Sequence, residues 1–211
     1  MPRGPGDARV TQRLVVATTN RHKAEEIRAA LAPHGWAVES PEGLPEVEED
    51  GATFEANALL KAAAAARVLG RPALADDSGL VVPVLGGAPG VHSARFAGPG
   101  ATDGENNALL VARLEALGAH EPSAAFVCAM VVAAPDGRVL ARAEGRVDGL
   151  LRWPARGAGG FGYDPLFFHP GSGCRFSELT REAKNAVSHR GEALRALIRS
   201  LGDAPVPRRP S

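Results

Sequence analysis

Two adjacent aspartates, Asp76 and Asp77, follow the short apolar run at residues 73–75. This run is typical of the end of a buried strand, and Ser78-Gly79 predicts a turn directly after the pair. A carboxylate that is buried without a partner raises its pKa and costs stability, whereas Mg²⁺ together with phosphate oxygens would satisfy both side chains. The alternative is that they cap the following turn, a common role of Asp. Taken alone, the pair favours neither interpretation.

Polar residues also follow a predicted strand near the N-terminus. The apolar run at 14–17 predicts a strand covered on both faces, and residues 18–20 (Thr-Thr-Asn) supply N-cap chemistry for a helix over 21–31. The free N–H groups of a helix N-terminus can bind an anion. Lys23 lies in the first turn, where the helix dipole disfavours a cation unless an anion binds there. A solvated surface lysine is the alternative.

Capping and periodicity signals predict the remaining elements. Three helices are predicted: one over residues 53–69, one from the capping box at 102–105 to Leu117, and one that follows the N-cap Ser188. Two strands are predicted over residues 124–134 and 138–148. The two strands read as a hairpin, because Pro135-Asp136-Gly137 joins them. Within the first of these helices, Asn57 and Lys61 are four residues apart and share one face. Helices mixed with an antiparallel hairpin predict an α/β fold with a mixed sheet.

A glycine-rich stretch at residues 157–162 (GAGGFG) matches the pattern GxGxxG but does not open a helix, so we reject it as a dinucleotide fingerprint. The glycines are expected to let the backbone approach a ligand closely. Phe161 and Tyr163 then offer rings that could stack on a base, the alternative being that they fill the core. Lys184, His189 and Arg190 bring three potential donors near a helix start, although a surface basic cluster would have the same spacing.

The composition excludes several classes of protein. Formal charge is zero, from 24 basic and 24 acidic residues, so no global field favours nucleic acid or a membrane surface. Cys128 and Cys174 are far apart and form no CxxC motif, which fits a reducing cytoplasm. No apolar run approaches the length of a membrane span. We expect one domain over residues 10–202, with flexible tails at 1–9 and 203–211.

Five segments, in this order, resemble the inosine/xanthosine triphosphate pyrophosphatase family. They are residues 17–26 (ATTNRHKAEE), 49–61 (EDGATFEANALLK), 73–98 (ALADDSGLVVPVLGGAPGVHSARFAG), 159–168 (GGFGYDPLFF) and 179–191 (LTREAKNAVSHRG). The resemblance spans nearly the whole chain, from about Leu14 to Leu201. Thr18-Thr19 departs slightly from the Thr-Gly that often precedes Asn in the family. The resemblance implies an elongated two-lobed α/β fold with a mixed central sheet and the active-site cleft between the lobes, usually as a homodimer.

The resemblance also implies roles for individual residues. Asp77 would be the general base and, with Glu49 or Glu48, would hold Mg²⁺, while Asp76 would support them. Because successive side chains of an extended stretch face opposite ways, only Asp77 is expected to reach the cleft. Residues implied to contact substrate are Thr18, Thr19, Asn20, Arg21, His22, Lys23 and Lys61 at the triphosphate end, Ser78, and then Phe161, Gly162, Tyr163, Asp164, Lys184, His189 and Arg190 at the base.

The implied reaction is hydrolysis of ITP, dITP or XTP to the monophosphate and pyrophosphate. Hypoxanthine and xanthine carry a 6-oxo acceptor that donors such as His189 and Arg190 suit, whereas the 6-amino group of adenine leaves a donor unpaired at a cost of about 1–3 kcal/mol. A Maf-type pyrophosphatase for pyrimidine or modified nucleotides is the nearest alternative, and the segment from Lys184 to Arg190 argues against it. A nucleotide-binding regulatory module without turnover is another, which the retained carboxylates disfavour.

Overall fold

The computed structural model describes residues 12–18, 20–41, 43–45 and 47–202. The strands are β1 (Gln12–Val16), β2 (Trp36–Glu39), β3 (Ala73–Val81), β4 (Ser123–Ala133), β5 (Val139–Leu151), β6 (Phe167–His169) and β7 (Cys174–Arg175). The helices are α1 (Arg21–Leu31), α2 (Phe54–Leu69), α3 (Asp103–Ala116), α4 (Arg181–Val187) and α5 (His189–Gly202), with short 3₁₀ turns between some of them. Residue 19 and both predicted tails lie outside the described residues.

In the described part of the chain, all seven strands join one sheet in the order β2-β1-β3-β4-β5-β6-β7. Strand β1 runs parallel to both β2 and β3, and every later pairing is antiparallel. The prediction of an α/β fold with a mixed sheet is therefore confirmed, as is the hairpin of β4 and β5.

Side-chain caps fix the starts of the helices that carry or support the site. Asn20 accepts a hydrogen bond from the backbone N–H of Lys23 at the start of α1, and Thr53 accepts one from Ala56 at the start of α2. Thr102 forms the predicted capping box at the start of α3. Such caps satisfy N–H groups that the helix itself leaves without a partner, so the helices begin where local sequence dictates.

Strand β3 passes between separate hydrophobic clusters. Its first residues pack beneath α1 and α5 through Leu74 and beneath α2 through Ala73 and Ala75. Further along, Leu80 belongs to a different cluster, formed with α3 and the aromatic residues Phe126, Phe167 and Phe176. Asp76 and Asp77 lie on β3 between the residues that join these clusters, and both side chains are buried.

The predicted turn after the aspartate pair is wrong. β3 continues through Ser78 and Gly79, and it pairs with β4 over nine consecutive residues from Ala73 to Val81. Gly79 is required for close packing instead of a turn, because a Cβ there would clash with the Ser93 hydroxyl and the Gly90 carbonyl. The interpretation of the aspartates as turn caps is wrong for the same reason.

Other differences from the predictions concern short or exposed elements. Leu117, expected in the core, is 57% exposed because α3 ends at Ala116. Ser188 accepts a hydrogen bond from Gly191, as expected of an N-cap, but the short helix α4 before it was not predicted, nor were β2, β6 and β7. Within the described residues, no helix has the length and apolar character needed to cross a bilayer.

Replacing Gly145 by Ala tests how closely α5 packs on the sheet. A Cβ at Gly145 would overlap the backbone oxygen of His189 and the backbone nitrogen of Ala193, so α5 has to shift. We expect Gly145→Ala to lower the free energy of unfolding by about 1–3 kcal/mol in urea denaturation. Gly104→Ala is the control, since only Thr102 Oγ1 at 3.9 Å lies near its Cβ, and it should be neutral or stabilising. Equal stability of the two variants would contradict this packing.

Candidate active site

A cavity of about 680 Å³ opens beside the aspartate pair. Its walls include most of the residues implied by the family resemblance: Thr18, Asn20, Lys23, Glu48, Glu49, Lys61, Asp77, Ser78, Phe161, Gly162, Tyr163, Asp164, Lys184, His189 and Arg190. Asp76 and His22 do not line it. Thr19 and the side chain of Arg21 lie outside what the structure describes. The size matches small-molecule sites, which typically enclose about 300–1,000 Å³.

Asp77 faces this cavity and is held by groups from α2. Asn57 donates a hydrogen bond from Nδ2 to Asp77 Oδ2 at 3.0 Å, and the Lys61 ammonium lies 3.6 Å from Asp77 Oδ1. Lys61 also donates to Glu49 at 2.9 Å. Asn57 and Lys61 therefore share the helix face predicted from their spacing, and together they bring Glu49 and Asp77 to one cation. Glu48 lines the cavity without this link.

The carboxyl of Asp77 titrates higher than an ordinary aspartate. Burial raises its pKa, and the nearby Glu49 carboxylate adds to the rise, while Lys61, Lys23 and the Asn57 amide oppose it. A raised pKa makes a carboxylate a better proton acceptor, and a functional carboxylate in a cleft is where such a shift is expected. Asp77 has the access and the basicity that a general base needs.

Asp76 points to the opposite face of β3 and is 1% exposed. Its Oδ2 lies 3.2 Å from the Lys23 ammonium and 3.4 Å from the Arg190 guanidinium. Burial alone would raise its pKa, but Lys23, Arg190 and Lys61 together hold the pKa of Asp76 well below its usual range. Asp76 thus stays ionised at neutral pH and positions two cations, Lys23 and Arg190, both of which line the cavity.

Arg190 and Lys184 belong to a buried ionic network. Arg190, only 1% exposed, is bound to Glu26 from α1 and donates to the Ser78 hydroxyl at 2.9 Å. Lys184 contacts Glu26 at 3.2 Å and Asp164 at 2.7 Å. Burial of these cations contradicts the alternative of a surface basic cluster. Some N–H groups of Arg190 already donate hydrogen bonds to Glu26 and Ser78. Fewer of its N–H groups are therefore free to bind a base than the sequence suggested.

His189 is neutral in this environment. Burial and the cations Arg190 and Lys184 hold the pKa of His189 well below its ordinary value. Its ring stacks on Phe126, with 4.8 Å between centroids and 11° between planes. Within the described structure, His189 Nδ1 is buried and has no hydrogen-bond partner. A buried polar atom without a partner beside a cavity is a group that a ligand can satisfy.

The aromatic residues of the site divide into one that is accessible and one that is buried. Phe161 is half-buried, stacks on His22 with 5.6 Å between centroids, and lies 4.5 Å from the Lys184 ammonium. A base that stacks on Phe161 therefore shares the ring with His22 and the Lys184 ammonium or displaces one of them. Tyr163 packs in the core, and its hydroxyl donates to the Ser93 carbonyl at 2.8 Å. For Tyr163 the core interpretation is correct, although its edge lines the cavity.

The glycines before Phe161 serve the packing of the chain itself. A Cβ at Gly157 or Gly159 would clash with Ser177, and one at Gly160 would clash with the Asp164 carboxylate. The expectation that these glycines admit a ligand is therefore corrected: they admit Ser177 and Asp164. Asp164 in turn accepts a hydrogen bond from the backbone N–H of Phe161 at 2.9 Å, which ties the loop to Lys184.

The α1 end of the cavity offers groups suited to phosphate. Thr18 Oγ1 accepts from the backbone N–H of Asn20 at 3.2 Å, and Asn20 caps the helix, so the chain enters α1 in a fixed conformation. Thr18, Asn20 and Lys23 all line the cavity beside this helix start. A helix N-terminus and an ammonium group together favour an anionic ligand.

The charges of the site favour a divalent cation with that anion. Around the cavity, four cationic side chains face five carboxylates in direct ion pairs: Lys23, Lys61, Lys184 and Arg190 against Glu26, Glu49, Asp76, Asp77 and Asp164. Among the described side chains, these ion pairs therefore leave no surplus positive charge for a polyphosphate. Among the described residues, no group of three or more His, Cys, Asp or Glu side chains could hold a metal alone. Asp77 and Glu49, which share Lys61, fit Mg²⁺ bound by two carboxylates plus ligand oxygens.

Several residues that shape the site were not singled out from the sequence. Glu26 lies three residues after Lys23, on the same side of α1, and this spacing was the available signal. Arg95 donates to the backbone oxygen of Glu49 at 2.9 Å and so holds the acidic segment against the cavity. Ser93 accepts from the backbone N–H of Leu80 at 2.9 Å. No local pattern marks Arg95 or Ser93, because their partners are distant in the chain.

Comparisons with known proteins agree with this geometry. The model of the Ham1 family matches residues 14–200. A protein of Geobacter sulfurreducens named dITP/XTP pyrophosphatase is 51% identical over 193 residues, covering 90% of this chain and 96% of that protein. A Thermus thermophilus protein of the same name is 50% identical over 198 residues, covering 93% of this chain and 95% of that one.

Solved structures agree as well. A HAM1 protein from Coxiella burnetii superposes with a TM-score of 0.83 at 38% identity, covering 92% of this chain and 100% of that chain. A structure from Mycobacterium abscessus, described as nucleoside-triphosphatase / dITP/XTP pyrophosphatase, has a TM-score of 0.70 at 41% identity and covers 88% of this chain and 98% of that one. The resemblance first indicated by five sequence segments is confirmed, and the chain belongs to the Ham1 family.

Proposed function

We propose that this protein is a Mg²⁺-dependent nucleoside triphosphate pyrophosphohydrolase that converts ITP, dITP and XTP to the monophosphate and pyrophosphate. One observation carries the proposal: the basic carboxylate of Asp77 faces a cavity that has an anion-binding helix start at one side and an aromatic ring with buried donors at the other. The names of the Geobacter and Thermus relatives support dITP and XTP as substrates.

In the proposed reaction, Asp77 accepts a proton from the water that attacks the α-phosphorus. Asn57 and Lys61 fix the orientation of the Asp77 carboxylate, and Lys61 offsets the negative charge that surrounds it. Positioned proton transfer of this kind contributes roughly 10²–10⁴-fold to a rate. Burial keeps Asp77 basic enough for the task, because its pKa is raised above that of an exposed aspartate.

The triphosphate is bound at the start of α1. Lys23, Thr18 and Asn20 line this side of the cavity, and Asp76 holds the Lys23 ammonium in place from below the strand. Asp77 and Glu49 would hold the metal ion, which when bound supplies the positive charge that the balanced ion pairs of the protein lack. Lys61 lies beside both carboxylates and lines the cavity, so its positive charge also acts on the phosphate groups bound there.

The base is bound at the other end, between Phe161 and the α4–α5 junction. Lys184 can only donate hydrogen bonds, so it suits the 6-oxo group of hypoxanthine or xanthine and is left facing a donor when adenine is bound. Neutral His189 can present either a donor or an acceptor, so it orients a base more than it selects one. Discrimination against ATP thus rests mainly on Lys184, with Arg190 held nearby by Glu26.

The remaining expectations extend this proposal to the whole protein. Residues 10–202 form a single domain, and the active form is a homodimer in the cytoplasm that needs neither nucleic acid nor membrane. The homodimer is proposed because proteins of the family that the sequence resembles are usually homodimers.

Pyrophosphate release from a panel of nucleotides tests the proposed function. ITP, dITP and XTP should be cleaved at least about fivefold more efficiently in kcat/KM than ATP, since the 6-amino group of adenine leaves one buried donor mismatched at a cost of about 1–3 kcal/mol. Omission of Mg²⁺ with added EDTA should abolish turnover. Equal cleavage of ATP and ITP would contradict the base selectivity. Preferred cleavage of dTTP would favour the Maf-type alternative, and binding without release of pyrophosphate would favour a regulatory module.

A pair of variants separates the two ends of the cavity. Lys23→Ala should raise KM about tenfold or more for ITP and ATP alike, and should weaken competitive inhibition by inorganic tripolyphosphate equally, because a lost charge-assisted bond costs about 1.5–3 kcal/mol. Phe161→Ala should raise KM for nucleotides yet leave inhibition by tripolyphosphate unchanged, since that probe has no base. Selective loss of ITP over ATP in Lys23→Ala would overturn the assignment of that lysine to phosphate.

A further inference from the structure

The loop that carries Phe161 is held by the first turns of α3. Asp103 Oδ2 accepts a hydrogen bond from the backbone N–H of Gly162 at 2.6 Å. Asn107 Nδ2 donates to the backbone oxygen of the same residue at 2.9 Å. Both polar groups of Gly162 are thus bound by side chains four residues apart on one helix face, across a sequence separation of more than fifty residues.

The groups on α3 that make these contacts are themselves fixed. The capping box of Thr102 and Glu105 sets the first turn of the helix, with the Glu105 carboxylate accepting from the Thr102 N–H at 2.7 Å. Leu110 and Leu114, one and two turns further along, are completely buried and anchor the helix in the core. Asp103 and Asn107 therefore extend from a rigid support. Each suits the group that it contacts: the Asp103 carboxylate can only accept, so it binds the N–H of Gly162, and the Asn107 amide can donate, so it binds the carbonyl oxygen of Gly162.

Phe161, the residue before Gly162, is held from the other side as well. Its backbone N–H donates to Asp164 Oδ2 at 2.9 Å, and the same oxygen accepts from Lys184 at 2.7 Å. The peptide groups on both sides of Phe161 are therefore fixed, one through α3 and one through α4. In a loop without regular secondary structure, such side-chain bonds are what fixes the direction of an aromatic ring.

We propose that Asp103 and Asn107 are positioning residues for base recognition, which clamp Gly162 so that the ring of Phe161 stays at the angle needed to stack on a purine. The inference rests on the proposed function, because it requires Phe161 to contact the base. The clamp gives the first turns of α3 a part in base recognition. Asp103 also lines the cavity, so the clamp forms part of its wall.

Kinetics of Asn107 variants test the clamp. Asn107→Ala should raise KM for ITP by roughly threefold to tenfold, the range expected for one net hydrogen bond, with kcat nearly unchanged. Asn107→Asp should be worse, because it sets a carboxylate against the Gly162 carbonyl. Asp103→Ala should resemble Asn107→Ala, and Asp103→Asn, which keeps an acceptor, should restore much of the loss. Inhibition by inorganic tripolyphosphate should not change in any of them, since that probe does not use Phe161.

A matched control separates positioning from helix stability. Glu105→Ala removes the capping box but neither contact to Gly162, so it should lower thermal stability while raising KM clearly less than Asn107→Ala does. A double-mutant cycle adds a second readout: in a Phe161→Ala background, Asn107→Ala should have no further effect on KM, because the residue on which it acts is gone. Additive effects of the two substitutions would overturn the inference.

Amide hydrogen exchange tests the clamp without any substrate. Exchange at Phe161 and Gly162 should be at least threefold faster in Asn107→Ala than in the wild type, while exchange in β3 stays the same. If the wild type cleaves ITP and Asn107→Ala retains the wild-type KM and exchange rates, the clamp is refuted and the proposed function stands. If the wild type cleaves none of the nucleotides, the proposed function fails. Faster exchange in Asn107→Ala would then show a clamp that has no part in base recognition, and the inference would be overturned as well.

Discussion

The carboxylate of Asp76 is buried in the middle of a core strand, and much of the site follows from the need to keep it paired. Lys23 from α1 and Arg190 from α5 reach it at 3.2 and 3.4 Å. Removing one partner of such a buried pair typically costs about 3–5 kcal/mol, because the other charge stays without compensation. The pairing therefore fixes both helices against β3. It also places Lys23 and the start of α5 at set distances from the next residue, Asp77.

Strand geometry then separates two carboxylates that are neighbours in sequence. Asp76 faces α1 and α5, whereas Asp77 faces α2 and the cavity. Their environments shift their pKa values in opposite directions. The lowered pKa of Asp76 means that its ionised form stabilises the fold at neutral pH, and this stability is lost only as the pH falls through that low value. Ionisation of Asp77, whose pKa is raised, instead costs stability, which a bound cation would restore.

Local signals in the sequence predicted the elements but not the contacts between them. Caps at Asn20 and Thr102 marked two helix starts correctly, because a cap depends on residues about three apart, and the helix predicted from Thr53 begins one residue later with Thr53 as its cap. Gly79 was misjudged as a turn residue, since its real neighbours, Ser93 and Gly90, come from a separate segment of the chain. Part of the site stood out from its sequence context, and the family resemblance supplied the roles and the remaining site residues. Their ion pairs to Glu26 and the contacts of Asp103 and Asn107 to Gly162 join distant segments, and no spacing rule reveals them.

The division of roles between the two aspartates is tested most directly by comparing Asp76→Asn and Asp77→Asn for urea stability and for turnover of ITP. Asp77→Asn is expected to lose at least about 10²-fold in kcat, the lower end of what a general base contributes, and to be as stable as the wild type or more so, because it removes a charge that burial disfavours. Asp76→Asn is expected to lose about 3–5 kcal/mol of stability, since Lys23 and Arg190 are left without their shared partner. Near-wild-type turnover by Asp77→Asn, or an Asp76→Asn variant as stable as the wild type, would contradict this division.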